Sequence, residues 1–427
     1  MTQSFYLESL GCPKNDVDSD KIIGTLLLDG LIRTDDVGLA DLVVVNTCAF
    51  IEDARRESID TVLALSKQRK DGARVVVTGC MAERYGSELT ESLPEADHIA
   101  GFGVPITLTK KSLSLASEKV LSFDLLNLPR PKSSSPWAYI KIAEGCDRNC
   151  GFCAIPSFRG PQRSRDVESI LAEVDQLGAK EIVLVAQDLA SYGKDRPEEL
   201  GAGSIVNLVN QVASKVERTR LLYLYPSDLS DALVDAIFAT GVPYFDLSLQ
   251  HVSKAHLRRM RRWGDGTRFL NRIEDIRKRE PQAAMRSNFI VGYPGETEED
   301  HDQLLRFVEN AQLDWCGFFA FSPEDGTYAV NLPDRVEKSL MDERLGELRE
   351  MQDTITARRR DDLIGETLNV LVDSAGIARS HREAPEIDGV IHVSETLQVG
   401  SFVQVEIANA FGPDLVAVGA SSDAASR

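Results

Sequence analysis

Glu144-Gly-Cys-Asp-Arg-Asn-Cys-Gly-Phe-Cys-Ala154 places three cysteines, Cys146, Cys150 and Cys153, in a C-x3-C-x2-C spacing with no fourth cysteine nearby. Three thiolates on one short loop can hold three irons of a cubane iron–sulfur cluster and leave the fourth iron open to another ligand. An open metal position points to chemistry rather than to a structural staple. Zinc is the competing reading. It wants four tetrahedral ligands, usually from two paired runs of Cys or His. The nearest histidines in sequence, His98 and His251, lie far outside the loop. A buried cysteine can also be a small hydrophobe, but Asp147, Arg148 and Asn149 make this loop a poor core segment.

Upstream, residues 1–125 alternate between strand and helix patterns. Phe5–Leu7, Leu42–Val45 and Arg74–Val77 read as strands, with amphipathic stretches at Asp18–Asp29 and Glu52–Arg69. Continuous apolar runs such as Leu42-Val-Val-Val45 suit parallel strands buried on both faces. Each strand runs into a cysteine: Cys12, Cys48 and Cys80. Ligands of open parallel sheets sit outside the carboxyl ends of the strands, so these three thiols are expected to converge on a second cluster. The alternative is three unrelated core cysteines. Gly11 and Gly79 fit a close backbone approach beside two of them.

Leu125–Pro136, rich in Pro and Ser, reads as a linker. Beyond it, residues 137–362 carry six strand–helix units, the pattern of a full or partial (β/α) barrel. The strands are expected at Tyr139–Ile142, Ile182–Val185, Leu221–Leu224, Phe245–Leu249, Ser287–Val291 and Gly317–Phe321. Functional residues of such barrels follow the strands. That makes Gln187, Gln250 and His251 candidates for a cofactor or substrate pocket, with Gly292-Tyr-Pro-Gly-Glu296 on a further loop. Each has a plainer reading: the Pro294-Gly295 pair is a turn dipeptide, and His251 can cap a helix. Cys316, beside Trp315, reads as core. A long helix over Arg335–Arg360 ends on Arg358-Arg-Arg360, read as a solvated end opposing the helix dipole. Residues 363–427 turn to short strands, Thr367–Val372, Gly389–His392, Phe402–Ile407 and Leu415–Val418, punctuated by Gly and Pro, as in a small β-barrel. Ser421–Arg427 reads as a frayed end.

The 427 residues carry a net charge of −19, with 43% hydrophobic and 27% charged residues, the composition of a globular protein. From Ile364 onward, nine Asp or Glu stand against three Lys or Arg. Nucleic-acid binders usually present a basic surface, so the balance favours a basic protein partner or a small molecule. No apolar run approaches the ~20 residues of a membrane helix, and the first residues lack signal-peptide character. A cytoplasmic protein is expected, whose seven cysteines serve metal or redox roles rather than disulfides.

The triple-cysteine loop resembles that of the radical S-adenosylmethionine (SAM) superfamily. Two triple-cysteine sets in this order, followed by a small β-barrel similar to a TRAM domain, resemble the methylthiotransferases over essentially the whole chain. The resemblance is carried by Leu10-Gly-Cys-Pro-Lys-Asn15, Asn46-Thr-Cys-Ala-Phe-Ile51, Gly79-Cys-Met81, Ala154-Ile-Pro-Ser-Phe-Arg-Gly160 and Arg163-Ser-Arg165. Gln250-His251, where the transfer-RNA branch typically has Gln-Ser-Gly, and Ala384-Pro-Glu-Ile-Asp388 look like the branch acting on an aspartate of ribosomal protein S-twelve. Ser248, where the family often has proline, departs from the pattern.

The resemblance implies two 4Fe-4S clusters. One, on Cys146, Cys150 and Cys153, binds and cleaves SAM to a radical that attacks the aspartate β-carbon. The auxiliary one, on Cys12, Cys48 and Cys80, delivers the sulfur. It also implies an electron donor and a SAM or substrate pocket near Gln187, Gln250 and His251. Nucleic acid is not expected as substrate, although a transfer-RNA adenosine methylthiotransferase is the alternative. Arg159, Arg163 and Arg165 can anchor carboxylates, and structural pairing accounts for them equally well.

Overall fold

A computed structural model describes residues 3–106, 124–201 and 203–421. The expected fray at Ser421–Arg427 lies, from residue 422, outside the described residues. Two compact units result: residues 1–132, 139–147 and 154–176 form the first; 133–138, 148–153 and 177–427 form the second.

The first unit is built on a five-stranded parallel sheet. Its elements are β1 (Ser4–Ser9), α1 (Pro13–Leu28), β2 (Ile32–Arg33), β3 (Leu42–Thr47), α2 (Glu52–Gln68), β4 (Arg74–Gly79), α3 (Cys80–Ser92) and β5 (His98–Ala100). The strand order is β2-β1-β3-β4-β5. Alternation along β3 explains how both faces are buried. Leu42 and Val44 pack with Ile22, Ile23 and Leu26 of α1. Val43 and Val45 pack with Val62 and Leu65 of α2 and Leu89 of α3. In this order the chain reverses direction across the sheet between β1 and β3, the place where open α/β sheets bind ligands.

Buried ion pairs tie segments of the central sequence into the first unit. Lys141 and Arg159 are buried against Asp18 of α1 and against Glu144. Lys21, Arg130 and Arg165 surround Glu173. Buried charges need such partners, and these pairs join residues 139–147 and 154–176 to the N-terminal sheet. The expected linker is likewise anchored: Lys21 donates to the Leu126 carbonyl, and buried Arg130 donates to the Tyr139 carbonyl at 2.6 Å.

In the second unit, Glu181–Val185 pairs in parallel with Arg218–Leu221. Tyr244–Gln250, Ala284–Val291 and Trp315–Ala320 form a second parallel set. A single bridge, Leu224 to Leu247, runs between the segments following and belonging to these sets. The helix Lys338–Asp361 leads into a closed five-stranded barrel of Thr367–Ser374, Ile377–Arg379, Ile391–His392, Asp414–Ser421 and Phe402–Phe411. Val370, Val372, Ile391, Val405, Ile407 and Leu415 fill it. Of the arginines ending the long helix, Arg358 is exposed as expected, but the next two turn inward. Arg360 is buried on Glu383, and Arg359 reaches Asp314 at 2.8 Å. No helix among the described residues is long and apolar enough to cross a membrane.

Candidate metal centres

In the first unit, β1, β3 and β4 lie side by side, with Ser9 beside Asn46 and Thr47 beside Gly79. Cys48 and Cys80 each follow a strand directly, and Cys12 caps α1. Gly11, next to Cys12, lies against the Cys48 side chain, and Cys80 Sγ lies 3.5 Å from Oδ1 of Asn15, three residues past Cys12. Gly11 has φ +101°, and a Cβ there would lie 2.8 Å from Cys48 Cβ. Only glycine fits so close a crossing in that conformation.

Polar side chains set the crevice in place. Asn15 donates through Nδ2 to the Leu10 and Thr47 carbonyls, at 2.9 and 3.0 Å, which fixes its Oδ1 toward Cys80. Arg159 Nη2 donates to that Oδ1 at 2.7 Å and to Cys80 Sγ at 3.0 Å. Burial pushes the Cys48 thiol up to about 12 and raises Cys80, with Arg159 pulling Cys80 the other way. Thiols held protonated by burial ionise on binding a metal. A dry, all-sulfur donor set flanked by a guanidinium suits an iron–sulfur cluster.

The second trio begins in the first unit with Cys146, whose N–H donates to the Gly160 carbonyl at 3.1 Å. Gly145, at φ +80°, brings the chain so near Pro161 that a Cβ would lie 2.0 Å from its carbonyl oxygen. Cys150 and Cys153 belong to the second unit. There Gly151 donates to the Met260 carbonyl and accepts from the Ala329 N–H, both at 2.8 Å, while Arg262 Nη1 donates to Cys150 Sγ at 3.4 Å. Arg148 donates to Asp188 at 2.6 Å and to Ser191 at 3.0 Å, pairs with Asp228, and lies 3.9 Å over the Tyr225 ring. Arg262 lies over the same ring at 3.9 Å.

The other expected pocket residues fare differently. Gln187 and Gln250 are half-buried, and Gln250 has φ +70° at a register shift. His251 is fully buried and packs on His256, ring centres 4.5 Å apart. With Glu296 these two offer ligand atoms within 4.8 Å of one another. Their bonding opposes a cation. His251 Nδ1 accepts from the Ser253 N–H at 3.1 Å, which leaves the ring proton on Nε2. Glu296 accepts from Gly292 N–H at 2.7 Å and from Arg344 at 2.9 Å. Burial lowers the His256 pKa to about 4 and holds that of His251 well below the usual histidine range, with Arg344 adding to both.

Against known proteins, the chain is 39% identical to the ribosomal protein uS12 methylthiotransferase RimO of Kineococcus radiotolerans, over 97% of both chains. It is 41% identical to the RimO of Moorella thermoacetica, over 93% of this chain and 95% of that one. The chain belongs to the RimO family of methylthiotransferases. Within it, residues 4–101 match Uncharacterized protein family UPF0004, 140–308 the Radical SAM superfamily and 364–419 the TRAM domain. The solved structure of the radical SAM methyltransferase TsrM from Kitasatospora setae, with cobalamin and a [4Fe-4S] cluster bound, is similar over 75% of this chain and 72% of that one, at 16% identity and a TM-score of 0.49.

As a RimO-family radical SAM enzyme, the chain uses an iron–sulfur cluster and SAM. Sequence reading missed Asn15, Arg148 and Arg262 as supports of its cysteines. Asn15 lies inside the quoted Leu10–Asn15 motif, three residues past Cys12, and that proximity is the only signal the sequence offered for it. Of the arginines weighed as anchors, Arg159, Arg163 and Arg165 pair with Asp18 and Glu144, with Asp124, and with Glu173.

Proposed function

We propose that the enzyme replaces a hydrogen on the β-carbon of an aspartate in ribosomal protein S-twelve with a methylthio group. Cys146, Cys150 and Cys153 hold the cluster that binds SAM, and Cys12, Cys48 and Cys80 hold an auxiliary 4Fe-4S cluster. When bound, these groups supply reductive SAM cleavage, the sulfur and, through a second SAM, the methyl group. A one-electron donor completes the system, and the reducing cytoplasm is where it acts. We assign residues 1–125 to the auxiliary cluster, 137–362 to radical chemistry and 363–427 to a TRAM-like barrel. Gln187 and Gln250 are assigned to the pocket wall.

The observation that supports this reading is that Cys12, Cys48 and Cys80 follow the ends of three adjacent strands, with Cys48 and Cys80 buried. A radical generator alone has no use for this second trio. The chain's own residues hold thiolates, exclude water around Cys48 and Cys80, and fix the Cys146 turn through Gly145. The test is to incubate the anaerobically reconstituted enzyme with SAM, reductant and either S-twelve or transfer RNA, and to weigh both. A methylthio gain on S-twelve is expected; a gain on RNA alone would replace the proposal with its alternative.

A further inference from the structure

Arg159 touches both the Cys80 thiol and Glu144, the acid next to the other cysteine loop. It closes α-helical residues Ile155–Arg159, and its guanidinium is almost wholly buried. Nη2 donates to Cys80 Sγ at 3.0 Å and to Asn15 Oδ1 at 2.7 Å. Nη1 donates to Asp18 at 2.9 Å and to Glu144 at 3.0 Å. The plane lies 4.1 Å over the Phe102 ring. Glu144 stands two residues before Cys146. Lys141 joins the same two carboxylates, Asp18 and Glu144, so the set holds two cations and two anions.

A balanced set of this kind needs no bond to sulfur to be satisfied. The N–H aimed at Cys80 is therefore surplus to the ion pairing. Asn15 cannot supply a donor there, since both its N–H groups are committed to carbonyls and its Oδ1 faces the thiol. A thiolate at Cys80 would meet a carbonyl oxygen and one guanidinium N–H.

We propose that Arg159 is a positioning residue of the auxiliary cluster: its Nη2–H bonds the Cys80 thiolate and raises the cluster's reduction potential, while Nη1 ties that thiolate to Glu144 at the start of the second cysteine loop. Hydrogen bonds to cluster sulfurs and nearby positive charge stabilise the reduced, more negative state. The inference rests on the reading of Cys12, Cys48 and Cys80 as cluster ligands.

The test uses the full chain with Cys146, Cys150 and Cys153 changed to alanine, reconstituted anaerobically, so that only the auxiliary cluster remains. Arg159→Gln alone would leave two carboxylates short of a cation. The comparison is therefore Asp18→Asn against Asp18→Asn/Arg159→Gln, by iron content and by a potentiometric titration followed by electron paramagnetic resonance. Expected are equal iron, a midpoint shifted to lower potential and altered g values in the double variant. Arg159→Lys, which keeps charge but not the forked geometry, should fall between. Equal iron with an unshifted midpoint would overturn the role of Arg159 alone. A background chain that binds no iron would overturn the ligand assignment, and the inference with it. If the double variant does not fold, Arg159→Lys carries the test: a lowered midpoint supports the role and an unchanged one ends it.

Discussion

Glu181 and Arg220 form an ion pair with neither side chain exposed, Nε to Oε1 2.8 Å, and Arg379 of the terminal barrel reaches the same carboxylate at 3.2 Å. Two arginines from different elements thus converge on one buried acid. Arg220 also donates to the His381 carbonyl at 2.9 Å, and Arg379 to the Glu383 carbonyl at 3.0 Å. The barrel is joined to the parallel strands through these buried charges and hydrogen bonds.

Removing that acid should destabilise the second unit strongly. Glu181→Gln leaves two buried guanidinium groups with too little negative charge, a change of about 3–5 kcal/mol. A lowered melting temperature by calorimetry, with iron content at the Cys12 trio unchanged, is the expected result. Wild-type stability in the variant would show that the convergence contributes nothing.

Acid should act through the same residues. Burial alone would raise the Glu181 pKa, but Arg379, Arg220 and Arg218 bring it down to about 2 from an ordinary 4.5; Glu383 behaves alike beside Arg360. A depressed carboxylate contributes stability that is complete above its unfolded pKa and is lost as pH falls through the folded one. The loss should therefore run from about pH 4.5 to 2, and Glu383→Gln should flatten it in circular-dichroism acid titrations.

His256 should add a second, higher window. Its folded pKa, pushed by burial to about 4 from 6.5, means that the unfolded chain takes up the proton first. Stability from the neutral ring is whole above pH 6.5 and declines as pH falls toward 4. An imidazole proton resonance titrating near 4 is expected by NMR; a midpoint near 6.5 would mean that the ring is not buried as described.

The two trios should separate by function. Cys12, Cys48 and Cys80 changed together to alanine are expected to halve bound iron and abolish methylthio transfer, yet leave SAM cleavage measurable as 5′-deoxyadenosine. Loss of cleavage as well would count against separate roles.

Gly145→Ala should do the reverse. A Cβ there meets the Pro161 carbonyl oxygen at 2.0 Å in a left-handed conformation, costing at least ~1–2 kcal/mol in backbone strain before the collision is relieved. The expected outcome is lost SAM cleavage with iron retained at Cys12, Cys48 and Cys80. Normal cleavage would show that the Cys146 turn tolerates the displacement.

Much of the architecture was legible because it was written in apolar runs. Leu42–Val45 and Arg74–Val77 were found as strands, and the stretch Glu52–Arg69 forms a helix over Glu52–Gln68. The misses fall where charge is buried. The strand Arg218–Leu221 was placed three residues late, at Leu221–Leu224, because Arg218, Thr219 and Arg220 look like surface residues and are fully enclosed. Helix α1 was begun five residues late for the same reason, with Lys14, Asn15 and Asp18 buried in its early turns. Part of the acidity of the terminal region is internal, while Glu366, Glu386, Glu395 and Glu406 stay exposed. Glu383 pairs with Arg360, and the buried Asp388 accepts from Tyr244 at 2.6 Å and pairs with Arg286.

Linear order was enough to settle the thiol spacings, the sheet-forming runs and the succession of three folding patterns, since each is a local property of chain chemistry. Folding in three dimensions decided the rest: which arginine meets which carboxylate, that Arg159 bonds Cys80, and that His251 is fully buried. Charges far apart along the chain pair only when packing removes water between them, and no window of neighbouring residues records that.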